Sequence, residues 1–190
     1  MGNIRKYMED IKPGYTRISS ILAQWDKFGH IDKAVLENKA AFGTRVHDAI
    51  KNVHSGIYTP LDDAANGYFE SFLKWQKETK IEIVSSEERF YCDKLMITGQ
   101  VDALAAIPGE EKFVLIDFKT SAQESPKMWP LQGGFYYYLA SLSGKTLSTR
   151  ILFVKLDKTG NLPSIYEYEF TKSLWNVCIA AWTCYRHLNS

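Results

Sequence analysis

The stretch Ile116-Asp117-Phe118-Lys119-Thr120 ends a strongly apolar run that begins at Phe113. The composition of this run predicts a central β-strand. Side chains alternate between the two faces of a strand, so Asp117 and Lys119 share one face and Phe118 occupies the other. An acid and a lysine on one face of a buried strand indicate a functional site. A salt bridge at the rim of the sheet is the simpler interpretation of an isolated Asp-x-Lys.

A second acid precedes this strand at short range, in the stretch Gly99-Gln100-Val101-Asp102. The surrounding residues 96–107 have the pattern of a strand, and they follow a predicted partner strand at 83–91 after a short turn. We therefore expect the carboxylate of Asp102 to lie near that of Asp117. Two carboxylates and a lysine then converge on one point.

Hydrophobic periodicity predicts the order of the remaining elements. The predicted helices cover residues 32–53, 62–77, 129–141 and 174–188. The predicted strands cover residues 83–91, 96–107, 113–119, 149–156 and 165–170. This order predicts an α/β fold in which a central mixed β-sheet is flanked by helices.

Composition limits the classes of protein to be considered. The 190 residues are 45% hydrophobic and contain no run long enough to cross a bilayer, which predicts one domain over residues 1–190 and no membrane association. The net charge of +1 means that a site for a polyanion has to be a local patch or depend on a metal. Three scattered cysteines and no signal-peptide pattern predict a reducing, cytoplasmic location.

Two further motifs lie in predicted helices. Gln132 and Tyr136 are one turn apart and therefore project from the same helix face. Upstream, Gly43-Thr44-Arg45-Val46-His47 places a histidine one turn after a glycine, where a backbone approaches another group closely. Each motif alone also has an ordinary structural interpretation: a solvated glutamine, a core tyrosine, a structural histidine.

Taken in order, the four motifs closely resemble those of the PD-(D/E)XK nuclease superfamily, and specifically of its RecB-like exonuclease branch. The motifs are Gly43-Thr44-x-x-His47, Gly99-x-x-Asp102, Asp117-x-Lys119 and Gln132-x-x-x-Tyr136. Within that branch the chain is most similar to the small stand-alone, phage-type exonucleases. The resemblance implies a restriction-endonuclease-like core with the element order αβββαβ.

The resemblance also implies a metal site. Asp102 and Asp117 match metal ligands, together with the backbone carbonyl of Phe118, and oxygen ligands of this kind suit Mg²⁺ or Mn²⁺. His47 matches a further ligand whose nitrogen favours Mn²⁺, or a residue that orients a water molecule. Lys119 matches the catalytic lysine, which orients or deprotonates the attacking water and offsets charge in the transition state.

Other residues are assigned by the same resemblance. Gln132 and Tyr136 match a pair that holds Lys119, the substrate phosphate or the neighbouring base. Glu88 resembles the acid on the first strand of the family and is expected to reach the metal. Thr44 is expected to contact substrate.

The implied function is a DNA exonuclease that depends on a divalent metal and leaves 5′-phosphates, acting on DNA ends in phage or bacterial recombination or repair. A strand-annealing or recombination partner and an oligomeric state are compatible with it. We expect no iron–sulfur cluster, because only three cysteines are available. A structure- or site-specific endonuclease and a non-catalytic nucleic-acid-binding subunit with the same fold stay open as alternatives.

Overall fold

Six strands and five α-helices make up the parts of the chain that the computed structural model describes, residues 11–25 and 33–189. The strands are β1 (Thr16–Arg17), β2 (Glu82–Cys92), β3 (Ile97–Ala106), β4 (Phe113–Lys119), β5 (Leu147–Lys155) and β6 (Ser164–Glu169). The helices are α1 (Ile18–Leu22), which continues as a 3-10 turn over Ala23–Trp25, α2 (Lys33–His54), α3 (Asp63–Thr79), α4 (Trp129–Ser141) and α5 (Lys172–Leu188). The predicted elements all occur, with ends that differ by no more than two residues.

The strands form one mixed sheet in the order β1-β3-β4-β5-β6, with β2 paired to β3 as well. β2 follows β3 in antiparallel register along the whole strand, from the pair Glu82–Ala106 to the pair Cys92–Ile97. The other edge of β3 is therefore shared between two strands: parallel β1 and antiparallel β4. Helices pack on both faces of this sheet, which confirms the predicted α/β class and the predicted mixed sheet flanked by helices.

The sheet opens into a fork between β3 and β4. Their ladder of paired residues reaches Ala103–Ile116 and goes no further, while β4 continues along β5 as far as Lys119. Beyond that point the Asp102 carboxylate takes the place of a backbone partner, because its Oδ2 accepts a hydrogen bond of 2.8 Å from the Phe118 N–H. The side chain of Asp102, from the Gly99-x-x-Asp102 motif, is thus bonded directly to the backbone of the Asp117-x-Lys119 motif.

Two apolar cores lie on opposite faces of the sheet. One joins α2 and α3 to the sheet and includes Phe72, Ile116 and Phe118; the other joins α1, α4 and α5 and includes Leu115 and Phe135. Burial of Ile116 and Phe118 on the first face directs Asp117 to the second, towards α4, as strand alternation predicts. Among the described residues, no helix has both the length and the apolar character needed to span a membrane.

Helix α4 packs closely on the sheet at Gly99. A Cβ at this position would lie 2.8 and 2.9 Å from two ring carbons of Tyr136 and 3.0 Å from Leu139 Cδ1. The glycine of the Gly99-x-x-Asp102 motif therefore makes room for the tyrosine of the Gln132-x-x-x-Tyr136 motif.

We predict that Gly99→Ala lowers the free energy of unfolding by about 1–3 kcal/mol, because overpacking forces the ring of Tyr136 to shift. Urea denaturation measures this change. In a Tyr136→Ala background the same substitution should cost less, since two of the three closest atoms are gone. An equal cost in both backgrounds would contradict the steric explanation.

Candidate active site

The fork between β3 and β4 contains Asp102 and Asp117, two of the acids that the sequence analysis singled out. His47 of α2 lies beside them. His47 Nδ1 lies 3.6 Å from Asp102 Oδ1 and 3.4 Å from Oε1 of Glu87, a residue of β2. One ligand atom from each of these three side chains lies within 4.8 Å of the others. One imidazole nitrogen and two carboxylate oxygens form a donor set that suits a divalent cation such as Mn²⁺ or Mg²⁺.

Asp117 lies on the other side of the fork in a dense polar cluster. Its side chain is only 1% exposed. Oδ1 accepts a hydrogen bond of 3.0 Å from Gln132 Nε2, and Oδ2 lies 2.6 Å from Lys119 Nζ. Lys119 Nζ in turn donates to Gln132 Oε1 at 3.0 Å. Gln132 therefore holds the acid with its amide nitrogen and the lysine with its amide oxygen.

One oxygen of this cluster, Asp117 Oδ2, can still accept a further partner. Among the described residues, Asp117 Oδ2 accepts no aligned hydrogen bond despite its complete burial, because Lys119 contacts it as an ion pair with poor hydrogen-bond geometry. A buried carboxylate oxygen in this condition is costly unless another positive group completes its surroundings. The residues present therefore fit a divalent cation in the fork.

The electrostatics of these side chains agree with this. Burial raises the pKa of Asp117 to about 7, aided by the nearby Asp102 and opposed by Lys119. Burial also disfavours the charged form of Asp102, but His47 and then Lys119 outweigh it and hold the pKa of Asp102 below its usual range. For His47 burial favours the neutral ring, yet Asp102 and Glu87 raise its pKa well above the ordinary value. The raised pKa values of Asp117 and His47 favour the protonated forms of both groups, and bound protons reduce the negative charge of the cluster.

Glu88 lies outside this group. Its carboxylate pairs with Lys145 Nζ at 2.5 Å and accepts a hydrogen bond from Ser85. The register of β2 on β3 pairs Ser86 with Ala103 and Glu88 with Val101, which puts Glu87 across from Asp102. Glu87, which sequence analysis missed, therefore belongs to the candidate metal group with His47 and Asp102, and Glu88 does not.

The other predicted site residues surround the same point. Phe118 contributes its backbone at the fork, while its ring lies in the core. Tyr136 is buried, and its ring packs against Gly99. The hydroxyl of Thr44 donates back to the Ala40 carbonyl within α2, at 3.0 Å.

A cavity of about 320 Å³ leads from the surface to this site, and Thr44, His47, Glu87, Phe118 and Lys119 are among its lining residues. The side chain of His47 is 23% exposed and that of Glu87 is 14% exposed, so a cation can reach these two residues from this cavity. A larger groove of about 980 Å³ adjoins it at Lys119, between α2 and the segment after β4. The site is thus open to the surface through both cavities.

Comparison with known proteins identifies the family. A model of the PD-(D/E)XK nuclease superfamily matches residues 58–176, more than half of the chain. The chain belongs to this superfamily, and the predicted family is confirmed. A search of curated proteins returned no match.

Two solved structures have a similar fold at low sequence identity. One is SSO0001, with a TM-score of 0.51 and 11% identity over 95% of this chain and 81% of that one. The other is an alkaline exonuclease, LHK-Exo from Laribacter hongkongensis, with a TM-score of 0.51 and 11% identity over 92% of this chain and 87% of that one. At this level of identity the similarity establishes the fold alone.

The backbone at Glu87 is strained. Its φ of +54° lies in the left-handed region, which a residue with a Cβ adopts only when its surroundings impose it. We predict that Glu87→Gly is more stable than Glu87→Ala by about 1 kcal/mol, because only glycine adopts this conformation without a steric penalty.

Chemical denaturation of both variants in EDTA checks this prediction, and both lack the carboxylate, so the comparison isolates the backbone. Alanine is normally favoured over glycine within a strand. That ordinary order at position 87 would show that the backbone there is unstrained.

Proposed function

We propose that this member of the nuclease superfamily is a metal-dependent DNA exonuclease that hydrolyses phosphodiester bonds at DNA ends and leaves 5′-phosphates. The observation that carries the proposal is the fork itself, where a His-Glu-Asp group lies beside a buried Asp-Lys-Gln cluster. A phosphodiester resists hydrolysis because its charge repels nucleophiles and its leaving group is poor. Positive charge held in a partly dehydrated site lowers both barriers.

His47, Glu87, Asp102 and Asp117 would hold the divalent cation, with the Phe118 carbonyl as a further ligand. When bound, the cation supplies positive charge and Lewis acidity beside the scissile phosphate. The donor set accepts Mg²⁺ or Mn²⁺, and the imidazole nitrogen of His47 favours Mn²⁺.

Lys119 supplies the second positive charge. Its ammonium is anchored by Asp117 and Gln132 and lies 5.2 Å from the centre of the Phe153 ring, yet it still lines the cavity. A cation fixed in this way orients the attacking water and offsets the charge that builds on the phosphate in the transition state.

An exonuclease role is supported by the fold shared with an alkaline exonuclease and by the Gln132 and Tyr136 motif. We extend the proposal to one functional domain over residues 1–190 that acts in the cytoplasm on DNA ends during recombination or repair, alone or with a strand-annealing partner. The alternative is an endonuclease with the same chemistry.

The test uses end-labelled linear DNA and covalently closed circular DNA with Mn²⁺, Mg²⁺ or EDTA. We expect metal-dependent nucleotide release from linear DNA alone, and a fall of about 10²-fold or more in Asp117→Asn and Lys119→Met. Asp63→Asn and Lys172→Met, which change exposed residues at the starts of α3 and α5, serve as matched controls. Cutting of the circle indicates an endonuclease, and DNA binding without any metal-dependent cleavage overturns the proposal.

A second prediction concerns Gln132. Gln132→Met keeps the size of the side chain but removes the bonds to Lys119 and Asp117, so the ammonium loses its fixed position. We expect kcat to fall by about 10²-fold with a smaller change in KM, because misplacement of a catalytic group by about 1 Å has an effect of this size. Gln76→Met is the control, since within the described parts of the chain the Gln76 side chain makes a single hydrogen bond, to the Ile81 carbonyl at 3.4 Å. Equal kinetics for the two variants would contradict a role for Gln132.

A further inference from the structure

Behind the candidate metal group, a chain of hydrogen bonds connects three side chains of β2 and β3. Arg89 Nη2 donates to Gln100 Oε1 at 2.5 Å, and Gln100 Nε2 donates to Glu87 Oε2 at 2.6 Å. Arg89 and Gln100 are direct partners in the antiparallel ladder. The sheet register therefore builds this chain, and Gln100 is its central residue.

The chemistry of the neighbours fixes the orientation of the Gln100 amide. A guanidinium only donates hydrogen bonds, so the amide oxygen has to face Arg89. The amide nitrogen then faces Glu87 and donates its hydrogen bond to Oε2. The other oxygen of Glu87, Oε1, is the one that lies 3.4 Å from His47 Nδ1, within the metal group.

Glu87 needs such a support. A glutamate side chain has three rotatable bonds, and this one lies across from the like-charged Asp102, which repels it. Without a donor on Oε2, the carboxylate is free to rotate away from Asp102 towards the cavity that it lines. A hydrogen bond to one oxygen restricts this rotation and leaves the second oxygen available as a ligand.

We infer that Gln100 is a positioning residue that holds Glu87 in place to complete the divalent-cation site, and that Arg89 fixes the amide orientation of Gln100. The inference rests on the proposed function, in that it takes Glu87 as a ligand of the cation. Neither Arg89 nor Gln100 touches the cation; each acts through its neighbour.

A thermodynamic cycle tests the role of Gln100. Isothermal titration of metal-free protein with Mn²⁺ gives Kd for the wild type, Gln100→Met, Glu87→Gly and the double variant. We expect Gln100→Met to weaken Mn²⁺ binding about tenfold, the size typical of a lost support for a metal ligand. In the Glu87→Gly background the same substitution should change Kd by less than about twofold, because the carboxylate on which Gln100 acts is absent. Glycine is the suitable background since it also avoids the backbone strain at position 87.

Two results overturn the inference: wild-type affinity in Gln100→Met, or an equal loss of affinity in both backgrounds. Gln76→Met controls for loss of a glutamine, and melting curves in EDTA establish that each variant is folded. Arg89→Met should weaken Mn²⁺ binding as Gln100→Met does, while Arg89→Lys, which keeps a charged donor, should recover most of the affinity. Wild-type affinity in Arg89→Met overturns the part assigned to Arg89.

The same titration separates this inference from the proposed function. If the wild type binds Mn²⁺ but cleaves no DNA, the exonuclease proposal fails and the cycle still decides the role of Gln100. If the wild type cleaves DNA and Gln100→Met binds Mn²⁺ normally, the proposed function stands and the inference is overturned. Absence of divalent-cation binding by the wild type overturns the inference together with the cation site.

Discussion

Repulsion among three carboxylates is the constraint on which the rest of the site depends. Glu87, Asp102 and Asp117 converge on one fork in the sheet, where water screens them poorly. His47 and Lys119 provide positive charge within the cluster, and the pKa values of His47 and Asp117 both lie above their ordinary values, which favours the protonated forms. A divalent cation would reduce the same repulsion while leaving the carboxylates ionised, and the group of His47, Glu87 and Asp102 could hold one.

A common arrangement holds two of these carboxylates. In each case the amide of a glutamine lies between a side-chain cation and a carboxylate, accepting from the first and donating to the second. The two triplets are Lys119, Gln132 and Asp117 on one side of the fork and Arg89, Gln100 and Glu87 on the other. The positively charged side chain fixes the orientation of the glutamine amide, because it can only donate hydrogen bonds. The amide then restricts rotation of the carboxylate by bonding to one of its oxygens. In each triplet the glutamine bonds to one oxygen of the acid, and the second oxygen lies beside a cationic group: Lys119 for Asp117 and His47 for Glu87.

The sequence was sufficient to predict the parts of the site that follow from local periodicity. Strand alternation predicted that Asp117 and Lys119 share a face, and helical spacing predicted that Gln132 and Tyr136 project together. It did not distinguish Glu87 from its neighbour, because that choice depends on the register of β2 on β3, which is set by long-range pairing.

The same limit applies to the smallest parts of the fold. The two-residue strand β1 gives no periodic signal, and it is a strand only because β3 offers it an edge. No local pattern marks Gln100 as a site residue, because its partners Arg89 and Glu87 come from another strand. The longer elements and their order were predictable, whereas β1 and the contacts that depend on the alignment of two strands were not.

Helix α4 connects the geometry of the site to the packing of the core. Gln132 contacts Asp117 on β4, and Tyr136, one turn later, packs on Gly99 of β3, so one rigid helix bridges both strands of the fork. Between these contacts, a Cβ at Gly133 would lie 2.8 Å from Ile151 and one at Gly134 2.9 Å from the Cys178 sulfur. The helix therefore has little freedom to move towards or away from the sheet. Since β3 carries Asp102 and β4 carries Asp117, the packing of α4 on both strands supports the arrangement that the hydrogen bond from Phe118 N–H to Asp102 establishes, and apolar residues of the core contribute to it.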